Sequence, residues 1–389
     1  MAKYTDLRGK ALLFLLCLWF LWFINFALRM VFAPILPIVE DEFVVNHAQA
    51  GGIFVFLSAG YSVAVMISGL YSGIFGFKRS IFFALLFLSL VSFAIPFIHT
   101  FWLLYVFAFF IGLAIGFYLP SAMPLMTEYY SENNWGKVIA IHDTGASIAI
   151  FSVPFIALFI LRFFPWRGIF VVFGFVFLAA ALIFFFSCSE VKLNDPPKRV
   201  FRDLVRIGSL WLMVIIWTFG AGANQGLYAI IPLYLTKELG LTIGYANTIL
   251  GISRLGAIGV AVSCGFLIDR FNLRIIMFLV LLITGTLTVF IGLVSAGFIG
   301  IFLFLQAFCV TAFFPVGLVA IAKTFSREMR SLATGIILAL SVASGGGLVP
   351  YLLGLSGDLY SFRLGIVILG VSIGISSLVV FHLKELEKQ

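Results

Sequence analysis

The sequence predicts an all-α membrane protein, with twelve transmembrane helices arranged as two pseudo-symmetric six-helix bundles. Three observations predict it. The 389 residues are 63% hydrophobic and only 10% charged, and a soluble chain cannot cover that much apolar surface. The apolar runs reach about 20 residues, the length that crosses a roughly 30 Å hydrocarbon core at about 1.5 Å per residue. The chain also repeats itself at an offset of 196 residues. Gly69-Leu-Tyr-Ser-Gly-Ile-Phe-Gly-Phe-Lys-Arg79 is echoed by Gly265-Phe-Leu-Ile-Asp-Arg-Phe-Asn-Leu-Arg274, and Glu42, Ala50 and Lys78 by Glu238, Ala246 and Arg274.

Taken in order, the predicted spans are 11–36, 48–73, 79–98, 101–126, 136–161, 166–187, 209–235, 244–269, 274–296, 298–323, 331–355 and 361–382. Lys3, Arg8 and Lys10 precede the first, whose apolar run continues to Ile35 with no small-residue cleavage site, so it reads as a retained span and not a signal peptide. Spans two and three, and again eight and nine, flank the repeated turn. Span five carries His142 and Asp143. After span six come Pro196, Pro197 and clustered charges, the marks of a solvated linker. The predicted organisation is therefore an N-terminal bundle over 1–188, a cytoplasmic linker over 189–208 and a C-terminal bundle over 209–389. Span seven is glycine-rich around Asn224 and Gln225, and span eleven holds Ser344-Gly-Gly-Gly-Leu-Val-Pro350. That stretch reads either as a flexible gate point or as tight helix packing.

Charge placement gives the orientation. Between spans on one side lie only Arg162, Arg167, Lys237 and Arg363; Arg29 and Arg254 lie inside spans; the other eighteen of the 24 Lys and Arg lie on the side of the termini. The positive-inside rule then puts both termini in the cytoplasm. The net charge of +8 is a topology signal and does not indicate a nucleic-acid partner. Cys17, Cys188, Cys264 and Cys309 lie in or at the ends of apolar runs with no CxxC, and the four His form no HExxH, so no metal or other cofactor is expected. No Asn-x-Ser/Thr sequon occurs, which is compatible with a bacterial or archaeal plasma membrane.

The turn Gly265–Arg274 is similar to the signature loop of the major facilitator superfamily, Gly-x-x-x-Asp-Arg-x-x-x-Arg between the second and third helices of a six-helix half. The second copy keeps Asp269 and Arg270 but has Asn272 where glycine is usual. In the first copy Gly73 and Ile74 replace the Asp-Arg pair. The arginine that many members carry in helix four is replaced by Ala108, while Trp166-Arg167 and Gly354-x-x-Gly-Asp358 resemble other recurrent features. The resemblance implies alternating access, with Asp269, Arg270 and Arg274 as gating charges that hold one conformation closed. The plain alternative is a loop that only fixes topology.

Ionisable groups inside a membrane are expensive and mark function by default. Arg29 and Arg254 read as an anion clamp contributed by opposite halves, because a guanidinium is always charged and binds carboxylate or phosphate bidentately. The alternative for Arg29 is snorkelling, or pairing with Glu40 or Glu42. Asp143, with His142 competing, reads as the proton-coupling group. Asn25 lies one turn from Arg29, and Gln225 is Arg29's mate in the repeat. With Asn224, Tyr61, Tyr118, Tyr228 and Gln306 they complete the expected substrate-binding set, each with interhelical hydrogen bonding as its alternative. The expected function is a monomeric, non-enzymatic secondary transporter of a small organic or inorganic anion, most simply a proton symporter. Its partners are substrate, protons and membrane lipid. Anion exchange and proton-driven efflux of amphipathic compounds are the rival functions. No nucleophile–base pair or Walker loop supports an enzyme.

Overall fold

The structure is a computed structural model that describes Tyr4 and residues 7–189, 201–256, 260 and 270–386. Among these residues the chain is helical, with no strand beyond an isolated bridge between Tyr4 and Tyr130. The main helices are α1 (Lys10–Phe43), α2 (His47–Phe75), α3 (Phe77–Ala94), α4 (Phe101–Tyr129), α5 (Trp135–Leu161) and α6 (Trp166–Ser187). They continue with α7 (Gly208–Glu238), α8 (Ile243–Ser253), α9 (Leu273–Leu293), α10 (Ile299–Thr324), α11 (Glu328–Leu359) and α12 (Phe362–Val379). Eleven segments are long and apolar enough to cross a membrane among the described residues. The predicted eighth span is described only over α8 and the few residues after it, so its crossing lies largely outside them, as do the greater part of the linker and Asp269.

Local chemistry sets the ends. Gly76 joins α2 to α3 at φ 80°, a conformation open to glycine without strain. Thr242, Asn272 and Ser361 cap α8, α9 and α12 by accepting from Tyr245, Arg274 and Leu364 N–H groups. Proline sits inside α1, α4, α5 and α7. Membrane helices tolerate it where neighbours satisfy the freed backbone groups.

The chain forms two compact units. The first holds residues 1–32 and 59–197, the second 33–58 and 198–389. In the first, Leu15, Leu18, Ile111, Ala149, Phe170 and Phe177 are buried as the helices pack. In the second, α7 and α11 meet through π-helical turns at Gly222–Gly226 and Val342–Leu348. A Cβ on Gly226 would come within 2.5 Å of the Gly345 carbonyl, so the glycines let the two backbones touch. Of the two readings of Ser344–Pro350, close packing is what these contacts display.

Candidate functional site

The first unit carries Arg29 on α1. Its residue is 4% exposed, and its guanidinium lies 4.5 Å from the Tyr61 ring centroid and 5.6 Å from that of Phe26. Such cation–π geometry replaces part of the lost hydration. Arg29 is buried, and the Glu40 offered as its alternative partner meets His47 and Lys237 in the second unit. One turn before Arg29, Asn25 is fully buried; its Nδ2 donates to the Leu21 carbonyl at 2.9 Å, and its Oδ1 has no partner. Trp22, on the same stripe, is buried, and its indole N–H is within reach of the Asp143 carboxylate.

Behind α1, Trp22, Tyr118 and His142 form a stacked cluster, with ring centroids 5.6–5.9 Å apart. The Tyr118 hydroxyl donates to the Leu18 carbonyl at 2.7 Å, so at 3.1 Å it accepts from His142 Nε2. That assigns the proton to Nε2 of His142. His142 is thus buried in a ring stack, whereas Asp143 is an exposed residue whose carboxylate faces the Trp22 indole N–H. Successive helical residues point about 100° apart, which separates the pair.

The second unit carries Arg254, just past the last residue of α8 and 4% exposed. Its Nη1 donates to Asn224 Oδ1 at 2.7 Å, its Nη2 to the Asn224 carbonyl at 3.2 Å, and its guanidinium lies 5.0 Å from the Tyr228 centroid. Nε is buried without a partner, and no carboxylate among the described residues pairs with this arginine. Asn224 is presented by the π-turn of α7. Such a turn loosens the helix's own hydrogen bonds, and two of its carbonyls are taken by side chains: Asn224's by Arg254, and Ala223's by Gln306 Nε2 at 2.9 Å. Gln225 is half-buried, its Oε1 close to Gly346. The structure therefore joins Arg254, Asn224 and Tyr228 directly, Arg29 with Tyr61, and Tyr118 with His142. It gives Gln306 a backbone partner.

Of the gating charges, Asp269 lies outside the described residues and Arg270 is exposed. Arg274 donates to the Phe381 carbonyl beyond α12, and its guanidinium lies 5.1 Å from the Phe381 centroid. The second unit holds a further charged cluster at its other end, which sequence reasoning missed. Asp358 binds the start of α2, and Glu40, 5% exposed, lies 2.8 Å from His47 Nδ1 and 3.6 Å from Lys237 Nζ. Lys237 also pairs with Asp41, and Glu238 accepts from the Phe362 N–H. The one available signal was Asp358 at the end of its glycine motif. Asn247 was missed as well; it donates to the Pro34 carbonyl at 3.0 Å and leaves its Oδ1 unpartnered.

Comparison with known proteins agrees with this architecture. The family model of the Major Facilitator Superfamily matches residues 18–302 and 219–389. A gallate transporter of Pseudomonas putida is 22% identical over 94% of this chain and 88% of its own. A hexuronate transporter of Bacillus subtilis is 23% identical over 70% of each. A TsgA homologue of Erwinia tasmaniensis is 25% identical, and the match spans 58% of each chain. Among solved structures, a bacterial homologue of the human lysosomal transporter Spinster aligns with a TM-score of 0.82 at 15% identity, over 97% of this chain and 98% of that one. A D-xylose–proton symporter aligns with a TM-score of 0.76 at 16% identity, over 95% and 97%.

Proposed function

The chain belongs to the major facilitator superfamily, a family of multi-pass membrane transporters and not enzymes, and from that premise we propose that it moves a small anion by alternating access. The observation that carries this is Arg254. A guanidinium inside a predicted membrane span, held by a neutral amide and a tyrosine ring with no carboxylate among the described residues, is a buried charge only partly compensated. Such a charge costs several kcal/mol, roughly, unless something negative visits it. Arg29 is a second buried cation. The gallate and hexuronate transporters among its relatives, named for carboxylates, support the same reading.

The proposed topology has twelve crossings, with α8 and the residues after it as the eighth, and both termini in the cytoplasm of a bacterial or archaeal cell. The asymmetry of Lys and Arg supports it. The proposed energy source is proton symport through Asp143, an exposed residue beside the buried His142 whose carboxylate faces the Trp22 indole. In proteoliposomes, Asp143→Asn should lose proton-driven accumulation and keep counterflow; accumulation at the wild-type level would overturn Asp143 as the coupling group.

The test of the anion reading is a thermal-shift screen of the detergent-purified chain against inorganic phosphate, benzoates and sugar acids. An anion that stabilises the wild type and fails to stabilise Arg254→Gln supports it. Equal stabilisation of both proteins overturns Arg254 as the anion site.

A further inference from the structure

Two indoles on α1 reach α5. Trp19 Nε1 donates to the Thr144 hydroxyl at 2.9 Å, and Trp22, one turn on, faces the Asp143 carboxylate with its N–H. Adjacent residues of α5 thus meet indoles one turn apart on α1. Gly145 makes the approach possible, since a Cβ there would come within 2.9 Å of the Trp19 carbonyl. The buried Trp22 ring lies nearly parallel to those of Tyr118 and His142, at 14° and 17°. A ring held on its flat side can swing its N–H only within a narrow arc, so the packing aims it. Little else with a charge or a proton stands near that carboxylate. On α5 there is His142, in the ring stack. α4 brings Tyr118, whose hydroxyl is spent on the Leu18 carbonyl and His142. α6 carries one charge, Arg167 in its first turn, which binds the Ile98 carbonyl. On α1, Cys17 lies five residues before Trp22 and Arg29 seven after. No cation pairs with Asp143 among the described residues.

We infer that Trp22 is the positioning residue for the proposed proton-coupling group: it holds the Asp143 carboxylate to α1, the helix that carries Arg29, and releases it when Asp143 takes up a proton. This rests on the Asp143 reading above and deepens it. An ionised carboxylate only accepts, and it draws an N–H donor strongly. A protonated carboxyl is a weaker acceptor, and its own hydroxyl seeks an acceptor that an indole N–H cannot supply. The proton therefore weakens the Trp22 tie between α1 and α5. The Trp19 tie, made to a neutral hydroxyl, is left as it was. Trp22 and Arg29 stand at i and i+7, on one stripe of α1. The tie is thus made on the face of the helix that bears the cation.

The experiment follows labelling of Asp143 by dicyclohexylcarbodiimide, which reacts with protonated carboxyl groups, across a pH series in the full-length purified protein. In Trp22→Phe, which keeps the ring stack and loses the N–H, the midpoint of labelling should move up by about one pH unit, because the ionised form has lost its donor. Well above the midpoint that is about tenfold more labelled protein. Trp19→Phe, which removes only the tie to Thr144, should leave the midpoint in place. The benzothiophene analogue of tryptophan at position 22 has the same shape and no N–H; it should give the same shift and serves where Trp22→Phe does not fold. An unmoved midpoint in the proteins without the N–H overturns the inference. An equal shift in Trp19→Phe also overturns it, since that would report a general loosening of the helix pair. If labelling of Asp143 ignores pH altogether, the carboxylate does not titrate, and the inference and the coupling role of Asp143 fall together. Loss of accumulation in Asp143→Asn with an unmoved midpoint in Trp22→Phe overturns the inference alone.

Discussion

Asp358 caps the start of α2: one carboxylate oxygen accepts the His47 backbone N–H at 2.9 Å and the other accepts that of Ala48 at 2.8 Å. The first N–H groups of a helix have no partner within it, and its N-terminus favours negative charge. The last turn of α11 therefore closes on the first turn of α2 by a charge-assisted, two-point contact. Under the alternating access proposed above, a contact of this kind would hold one conformation and break in the other.

Removing the cap should loosen that end. Asp358→Ala forfeits about 1–2 kcal/mol of capping. Ser58, 2% exposed on the same stretch of α2, is a suitable reporter. With Cys17, Cys188, Cys264 and Cys309 replaced, a cysteine at position 58 should be alkylated roughly 5- to 30-fold faster in Asp358→Ala. An unchanged rate would mean that the cap does not hold this end closed.

Glycine packing makes the same contact testable by steric means. A Cβ on Gly51 would lie 2.6 Å from the Pro350 carbonyl, one on Gly347 2.8 Å from Ser58 Cβ, and one on Gly354 against the His47 carbonyl. The α2–α11 contact is backbone against backbone, with no room for a wedge. Gly354→Leu should raise alkylation at position 58 more than Asp358→Ala does, since it removes the closed geometry where the other only weakens it. Substrate transport should fall in parallel, because one conformation of the cycle is lost. Transport at wild-type rates in Gly354→Leu would show that this contact is no part of the cycle.

Gln306 separates a structural role from a substrate contact. Its Nε2 donates to the carbonyl that the α7 π-turn leaves open, Ala223's, and lies 3.5 Å from the Thr288 hydroxyl. Gln306→Ala should leave that buried carbonyl unsatisfied and lower stability by about 1–3 kcal/mol. The apparent KM should then stay within about twofold of wild type while the amount of folded transporter drops. A large rise in KM with unchanged thermal stability would return Gln306 to the substrate-binding set.

How much of this was legible in the sequence depends on the range of the interaction. The helices were legible, since length and hydropathy alone make a span. The α8 crossing and the Asp269 loop lie outside the described residues. Arg29 and Arg254 were legible because a charge in oil is expensive wherever it sits. Their partners were less so. The repeat paired Arg29 with Gln225, yet Gln225 lies beside Gly346, and the residue that grips an arginine is its neighbour Asn224. The reason is the π-turn at Gly222–Gly226, where α11 packs close through Gly345; the glycines of α7 were visible, but the shifted hydrogen-bond register was not. Asp358 was visible only as the end of a motif, because its partner is a pair of backbone N–H groups more than three hundred residues away. Trp22 was passed over because an indole on an apolar helix is usually core.

Arg254 should set function against stability. Without substrate the second unit keeps a guanidinium at 4% exposure with its Nε unpartnered, a buried charge only partly repaid by Asn224 and Tyr228. Replacing a buried ionic group by an apolar one of similar length is often neutral or stabilising by about 1–4 kcal/mol. Arg254→Met should therefore melt at or above wild type in detergent when no anion is present. It should also lose anion binding by about a hundredfold or more, the loss expected when one charged partner of a desolvated pair is removed. The paired Asn224→Ala change should behave oppositely, lowering stability by leaving the charge without its amide. A strongly destabilised Arg254→Met would show instead that the guanidinium is a structural keystone of α7 and α8, and the anion reading would lose its principal support.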